Sequence, residues 1–484
     1  MGNQDPEIAD VARFARRLLS RAVETARTPD RPLRRVLLDH LGEDAGALPT
    51  VSASWPPYEH VNVQIGLDAW LAASPVRRHT VTGVTGVGHL RHMDVSVTDF
   101  IVPSRDVFSG AGAGGVVTTA VPCGPGGQTR ACVSNGIYLV HDGDVPLVIM
   151  LQPSDRGVMH AEVVLQVAGA DANRIEAVLA EIRRLAAENS VFRGQVISFQ
   201  PEVFGPARTQ SAISFLERPA VTRDQIVLPD ALLTEIERQV IGIGRHSRRL
   251  LASGQHLKRG VLLHGAPGTG KTHTVSYLLG LLPDTTVIEI SGQALSRITQ
   301  ACSVARSLQP AVVVVEDVDL IAEERTARPG QHPLLFQLLN EMEGLNSATD
   351  VVFILTTNRA DLLEPALAAR PGRVDLAAEL PLPDAAARRA LITLYQGNLV
   401  LDVDLDAVIE RTEGVTAAFL KELLRKAALL SAESDPDSPE TPIRVTGEHL
   451  TAALEQLFDA RSHLTRALLG GQPADPGERV RFHN

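Results

Sequence analysis

Residues 265–272 read GAPGTGKT, which matches G-x-x-x-x-G-K-[ST] at every fixed position. This stretch constrains the fold because the pattern functions in one setting: a strand must run into it and a helix must leave it. Val261, Leu262 and Leu263 supply the apolar strand, and Thr274, Val275, Tyr277, Leu278 and Leu279 the helix. There, successive backbone N–H groups turn toward phosphate oxygens and the helix N-terminus adds positive potential. The expected contacts to ATP are Gly265, Ala266, Pro267, Gly268, Thr269, Gly270, Lys271, Thr272 and His273. Lys271 would reach the β- and γ-phosphates, and Thr272 would place its hydroxyl on Mg²⁺.

The 484-residue chain is long enough for about three domains. Its net charge of −11 argues against a general nucleic-acid binder, which needs an excess of lysine and arginine on some face. Cys123, Cys132 and Cys302 have no metal spacing, and a low, odd count suits a reducing cytosol. No apolar run approaches the roughly 18 residues of a membrane span. Gln4, Asp5 and Glu7 leave no apolar signal core, so the expected location is cytoplasmic.

Apolar spacing predicts an arginine-bearing amphipathic helix over 6–27 and a mixed α+β domain to about residue 205. Within it, Val61 to Ile65 alternates like a half-buried strand, and Val95–Val102, Val116–Val121, Ile137–Val140, Val145–Leu151 and Glu162–Val167 are β-rich. A helix follows over 171–188, and Val191–Phe199 reads as a closing strand. Gly110, Gly112 and Gly115 satisfy G-x-G-x-x-G, but Val116-Val-Thr-Thr after them favours a strand where a dinucleotide site needs a helix. Residues 206–224 read as a linker. From about 225 to 380 apolar strands alternate with helices, the pattern of a parallel α/β sheet. Residues 381–465 are mostly helical and 466–484 a loose tail.

The strand Val312–Val315 ends in Glu316-Asp317-Val318-Asp319. Acids at the C-terminal end of a parallel strand face the nucleotide crevice, where one would hold Mg²⁺ and the next would orient the attacking water. A second apolar strand ends in Thr356-Thr357-Asn358, and EPALAARPGRVD follows at 364–375.

These motifs, in this order, make the chain from about 225 to 465 resemble an AAA+ ATPase module of the protein-remodelling clade. The resemblance implies a helical lid after the α/β subdomain and a homo-oligomeric, hexameric ring. It implies that Asn358 positions the attacking water and that Arg370 and Arg373 reach a neighbouring subunit's nucleotide. It also puts Gly414, Thr416 and Ala417 of GVTAAFLKELLRKAAL near the nucleotide, a stretch that equally reads as ordinary helix packing. Two departures stand out. The order Glu316 then Asp317 is reversed from the family's usual one and resembles the mitochondrial Rieske-protein translocase branch; it assigns Glu316 to the metal and Asp317 to the water. The segment QALSRITQACSVARSLQP lacks the aromatic pore loop of protein-threading relatives and is shorter than theirs by roughly two helical turns.

The leading expectation is therefore an ATP-driven machine that remodels, disassembles or chaperones a protein client, recruited through residues 1–205. A second is the ATPase partner of a separate protease; no H-E-x-x-H occurs, and Phe482-His483-Asn484 departs from the hydrophobic–Tyr–X docking tail of proteasome-type regulators. A third is a nucleotide-dependent assembly switch with slow turnover.

Overall fold

The computed structural model describes residues 33–85, 95–102, 111–155, 161–200, 213–319, 333–344, 346–361, 374–434 and 442–458. The helix expected at 6–27, Gly110, Arg370, Arg373 and the tail 466–484 lie outside them. The described residues form two compact units, and the main break falls between Val191 and Phe192.

The first unit contains α1 (Leu33–Leu41), β1 (Thr50–Trp55), α2 (His60–Ala72), β2 (Arg77–Thr85), α3 (Val97–Ile101) and β3 (Gly112–Gly114). It continues through β4 (Val117–Pro122), β5 (Thr129–Asp142), β6 (Val145–Asp155), β7 (Ala161–Gly169) and α4 (Ala172–Glu188). The strands form one antiparallel sheet in the order β1-β7-β6-β5-β2-β3, with β4 on the far half of β5. Leu147, Ile149 and Leu151 of β6 face α2 and α4, while Val148 and Met150 face α1 and α3. Helices on both faces explain why this strand is an unbroken apolar run.

Two expected strands are helices. Val61 to Ile65 lies in α2, where His60, Val61, Asn62, Val63 and Gln64 are all buried. The alternation misled because Asn62 and Gln64 are not solvent-facing. Asn62 donates to Glu59 and accepts from the Val191 N–H, and Gln64 donates to Asp68 and Tyr138 and accepts from the Val133 N–H. Buried amides that satisfy their hydrogen bonds count as core. Val97–Ile101 is helical because Ser96 and Asp99 form a capping box. Gly66 is where α2 meets α4: a Cβ there would sit 2.6 Å from the Ile182 carbonyl and 2.8 Å from Ala186 Cβ.

Two histidines, one buried and one half-buried, tie this unit together. His60 Nε2 donates to the Val133 carbonyl at 2.8 Å. His40 Nε2 lies 3.1 Å and 3.0 Å from the carbonyls of Val140 and Leu147, edge-on to His141. Burial pushes the pKa of both His40 and His60 below 6.5.

The second unit begins with β8 (Val196–Phe199) and β9 (Ile213–Leu216), followed by α5 (Asp230–Glu237), β10 (Arg259–His264), α6 (Lys271–Gly280), β11 (Thr286–Ile290) and α7 (Ile298–Ser307). Then come β12 (Ala311–Val315), α8 (Pro333–Glu343), β13 (Val351–Thr357) and β14 (Leu376–Glu379). The sheet order is β14-β10-β13-β12-β11-β8-β9, parallel except for the β8–β9 edge. Residues 191–199 thus do not close the first domain: β8 runs parallel to β11, pairing Val196 with Val287 and Ser198 with Glu289. The range read as a linker contains edge strand β9 and Arg218, whose guanidinium donates to the carbonyls of Gly194, Leu279, Leu282 and Thr285 at 2.8–3.2 Å. β12 and β13 are buried at every residue, as central strands of a covered parallel sheet must be.

A helical layer follows, made of α9 (Ala385–Gln396), β15 (Val400–Asp402), α10 (Leu405–Arg411), α11 (Ala417–Ser434), β16 (Arg444–Thr446) and α12 (Gly447–Phe458). Its core includes Leu391, Phe419, Leu420, Leu423, Leu424 and Leu454. No helix among the described residues is long and apolar enough to cross a membrane.

Candidate nucleotide site

The order of the second sheet puts β10 between β13 and β14, with β12 beyond β13. The C-terminal ends of these strands therefore share one edge, the edge where open α/β sheets bind ligands. β10 runs into the 265–270 loop and α6 leaves it, as the motif required. Gly265, Gly268 and Gly270 have φ of 148°, 84° and 100°. Two of them are tightly hemmed in: a Cβ on Gly265 would lie 2.5 Å from the Leu380 carbonyl oxygen, and one on Gly268 would lie 2.8 Å from Ala418 Cβ and 2.9 Å from Thr416 Oγ1. The first N–H groups of α6 have no intrahelical acceptor and point into the loop. An anionic ligand fits this cradle, since side chains are missing where backbone must approach and donors are present where charge must be met.

Lys271 is buried and its Nζ donates to the carbonyls of Gly265 and Ala266 at 2.9 and 3.0 Å. Burial lowers its pKa, while the negative charges of Asp317 and Asp319 oppose that shift. Thr272 and His273 are exposed at the start of α6, and His273 Nε2 donates to the Gln225 carbonyl at 3.2 Å.

The acids leave β12 through an irregular turn. The Glu316 N–H donates to the Ile290 carbonyl at 3.2 Å. Asp317 has φ of 50°, the only positive value at a non-glycine position among the described residues. A left-handed aspartate costs on the order of 1 kcal/mol and persists only where its surroundings hold it. Thr356 supplies that hold: its Oγ1 accepts from the Asp317 N–H at 3.1 Å and its carbonyl from the Val318 N–H at 3.0 Å. Asn358 Nδ2 donates to Asp317 Oδ1 at 3.4 Å. The structure thus brings Lys271, Asp317 and Asn358 to one edge.

Sequence reasoning did not single out three further residues. Asp319 is 7% exposed and its Oδ1 accepts from Thr357 Oγ1 and the Asn358 N–H. Glu289, at the end of β11, has its carboxyl pKa raised by burial and by the like charge of Glu316. Ala418 donates its N–H to the Gly268 carbonyl at 3.1 Å, so α11 touches the phosphate loop directly. Gly414, with φ of 75°, forms the turn before that helix, and Thr416 and Ala418 are the residues in contact with Gly268. The segment lacking an aromatic loop forms a 3₁₀ turn (Gly292–Arg297) and α7, with Ala294, Leu295, Ile298, Ala301 and Cys302 buried.

A separate cavity of about 290 Å³ opens at the opposite end of the sheet, lined by Arg245, Arg259, Asp284 and Asp350 among others. It has no glycine loop, and the Arg259 guanidinium is engaged by Asp350 and by the carbonyls of Val240 and Leu257.

A family model described as "ATPase family associated with various cellular activities (AAA)" matches residues 261–382. The chain is 32% identical over 286 residues to the ATP-dependent zinc metalloprotease FtsH 3 of Sphaerobacter thermophilus, covering 56% of each protein. It is 34% identical over 246 residues to the FtsH metalloprotease of Acidothermus cellulolyticus, covering 48% of this chain and 37% of that one. It is 30% identical over 270 residues to the FtsH metalloprotease of Mycobacterium tuberculosis, covering 53% and 34%. The chain spans about half or less of the length of these relatives. They are FtsH proteins, so the likeness to the Rieske-protein translocase branch rests on the Glu316–Asp317 order alone. The matched range opens inside β10 and closes just beyond β14, enclosing the nucleotide edge of the sheet, and this part of the chain is an AAA ATPase domain, an ATP-hydrolysing module that works with Mg²⁺.

Proposed function

We propose that this chain couples ATP hydrolysis to the remodelling, disassembly or chaperoning of a protein client, acting in the cytoplasm as a homo-oligomeric, hexameric ring. The observation that carries the reading is the Ala418–Gly268 hydrogen bond, which links the phosphate loop to the helical lid. Through it, a change of ligand at the loop would be felt by a whole subdomain. ATP with Mg²⁺ supplies the phosphoanhydride whose cleavage drives the cycle. Lys271 would pair with the β- and γ-phosphates, and Gly265 to Gly270 would wrap them with backbone N–H groups. Thr272 and Glu316 would hold the metal. Asp317 would orient the attacking water, with Asn358 aligning both. Arg370 and Arg373 from a neighbouring subunit would neutralise charge in the transition state. His273 and Gly414 would border the nucleotide. The first unit, with the residues before it, would recruit the client.

Capture of partners by an Asp317→Asn variant in ATP tests this. A client retained in ATP and released with ADP supports the reading; equal retention in both nucleotides removes it. A second reading is that the module serves a separate protease. It is favoured by relatives named as ATP-dependent zinc metalloproteases. ATP-dependent loss of the captured client on adding a protease would favour it. A slow assembly switch, compatible with the short Asp317 side chain, would bind ATP tightly and turn over without response to client.

A further inference from the structure

We propose that Asp319 is a positioning residue: it fixes Asn358, and through Asn358 it sets the water-orienting carboxylate of Asp317. The inference rests on the ATPase reading of this edge and adds a residue to it.

β13 pairs with β10 as far as Thr357, opposite His264. Beyond that point the chain leaves the ladder, so the Asn358 N–H has no strand partner in the register. Asp319 replaces the strand. Its Oδ1 accepts from Thr357 Oγ1 at 2.9 Å and from the Asn358 N–H at 3.3 Å. Thr357 Oγ1 accepts in turn from the Arg359 N–H at 3.0 Å. One buried carboxylate thereby pins three consecutive residues, 357 to 359. Asn358 then presents its amide to Asp317 Oδ1. In the other direction, Thr356 accepts from the N–H groups of Asp317 and Val318. The exits of β12 and β13 are therefore stitched together from both sides, and Asp319 supplies the buried carboxylate of the stitch. It is 7% exposed and sits two residues from Asp317, too enclosed to be an adventitious surface acid.

The competing role for Asp319 is electrostatic. Its charge faces Lys271, and a carboxylate there could simply hold the lysine. Substitution separates the two roles, because asparagine keeps an oxygen acceptor and loses the charge. Steady-state ATPase assays on the full chain, with affinity for a fluorescent ATP analogue measured in parallel, provide the test. Asp319→Ala should lower kcat roughly 10- to 100-fold, the scale of hydrogen bonds lost to a charged acceptor, with KM and analogue affinity unchanged. Asp319→Asn should recover most of that loss. Thr357→Val should reproduce part of it. Asp319→Ala combined with Asn358→Ala should be no slower than Asn358→Ala alone, because both act through one side chain.

The proposal is overturned if Asp319→Asn is as slow as Asp319→Ala, if KM rises while kcat holds, or if the two losses multiply. Should the wild-type chain hydrolyse no ATP, the ATPase reading fails by itself. The positioning claim is then decided by amide hydrogen exchange over 356–359. Faster exchange in Asp319→Ala than in wild type or Asp319→Asn supports it, and unchanged exchange removes it.

Discussion

Asp317 holds its carboxylate on a backbone that few non-glycine residues adopt, and Thr356 and Asn358 hold it there. Its role is tested by Asp317→Asn, which should bind ATP normally and lose about 10²- to 10⁴-fold in hydrolysis, the usual worth of a proton-accepting group. Glu316→Gln should first shift the Mg²⁺ concentration needed for activity. Lys271→Ala should abolish nucleotide binding in the same assays; unchanged affinity would unseat the phosphate-loop assignment. Titration gives a separate check in the first unit. His40 and His60 have folded pKa values below 6.5, mainly through burial, so the unfolded chain takes up protons first as pH falls. Stability is then complete above pH 6.5 and is lost as pH drops through it. The Tm of this unit should fall between about pH 7 and 5, and His40→Gln with His60→Gln should flatten that slope. The sequence showed the acids and, with the resemblance, assigned Glu316 to the metal and Asp317 to the water, but left Asp319 without a role. A Glu-Asp-x-Asp run gives no sign that Asp319 is enclosed, since its partners Thr357 and Asn358 lie 38 and 39 residues away.

Elements were legible wherever burial followed a simple period. The P-loop strand and helix, the runs 311–315 and 351–357, and the helices after Pro383 were all readable because their apolar residues recur at one spacing or without a break. The failures share a cause. In α2 the polar residues of an alternating stretch are buried against hydrogen-bond partners up to 129 residues distant, so a period of two concealed a helix. With β8, the strand itself was visible, but its partner β11 begins 90 residues later, and pairing partners are not written in local pattern. The α2–α4 contact at Gly66 gives an expected outcome at this scale. Gly66→Ala should separate the two helices and destabilise the first unit by about 1–3 kcal/mol, read as a lower Tm. ATP binding by Lys271 and its loop should be unaffected, because the two cores are built from different residues.

For the whole molecule, the resemblance expects sites shared between subunits. Arg373→Ala should bind ATP and hydrolyse it poorly, and mixing it with Lys271→Ala subunits should restore part of the activity, since some interfaces would then pair an intact loop with an intact arginine. A monomer by light scattering in ATP with full turnover would contradict this. The β8–β9 edge bears on how the ATPase part can be cut from the chain. A fragment begun at residue 225, where the sequence pattern changes, or at 261, where the family match starts, would remove two strands and Arg218. The open edge of β11 would then offer unpaired N–H and C=O groups to any neighbouring chain, and the carbonyls of Leu279, Leu282 and Thr285 would lose their common donor. A 225–484 fragment should aggregate on expression, whereas 192–484 should stay in solution. The natural start of the ATPase body therefore lies some 70 residues before the motif that betrays it.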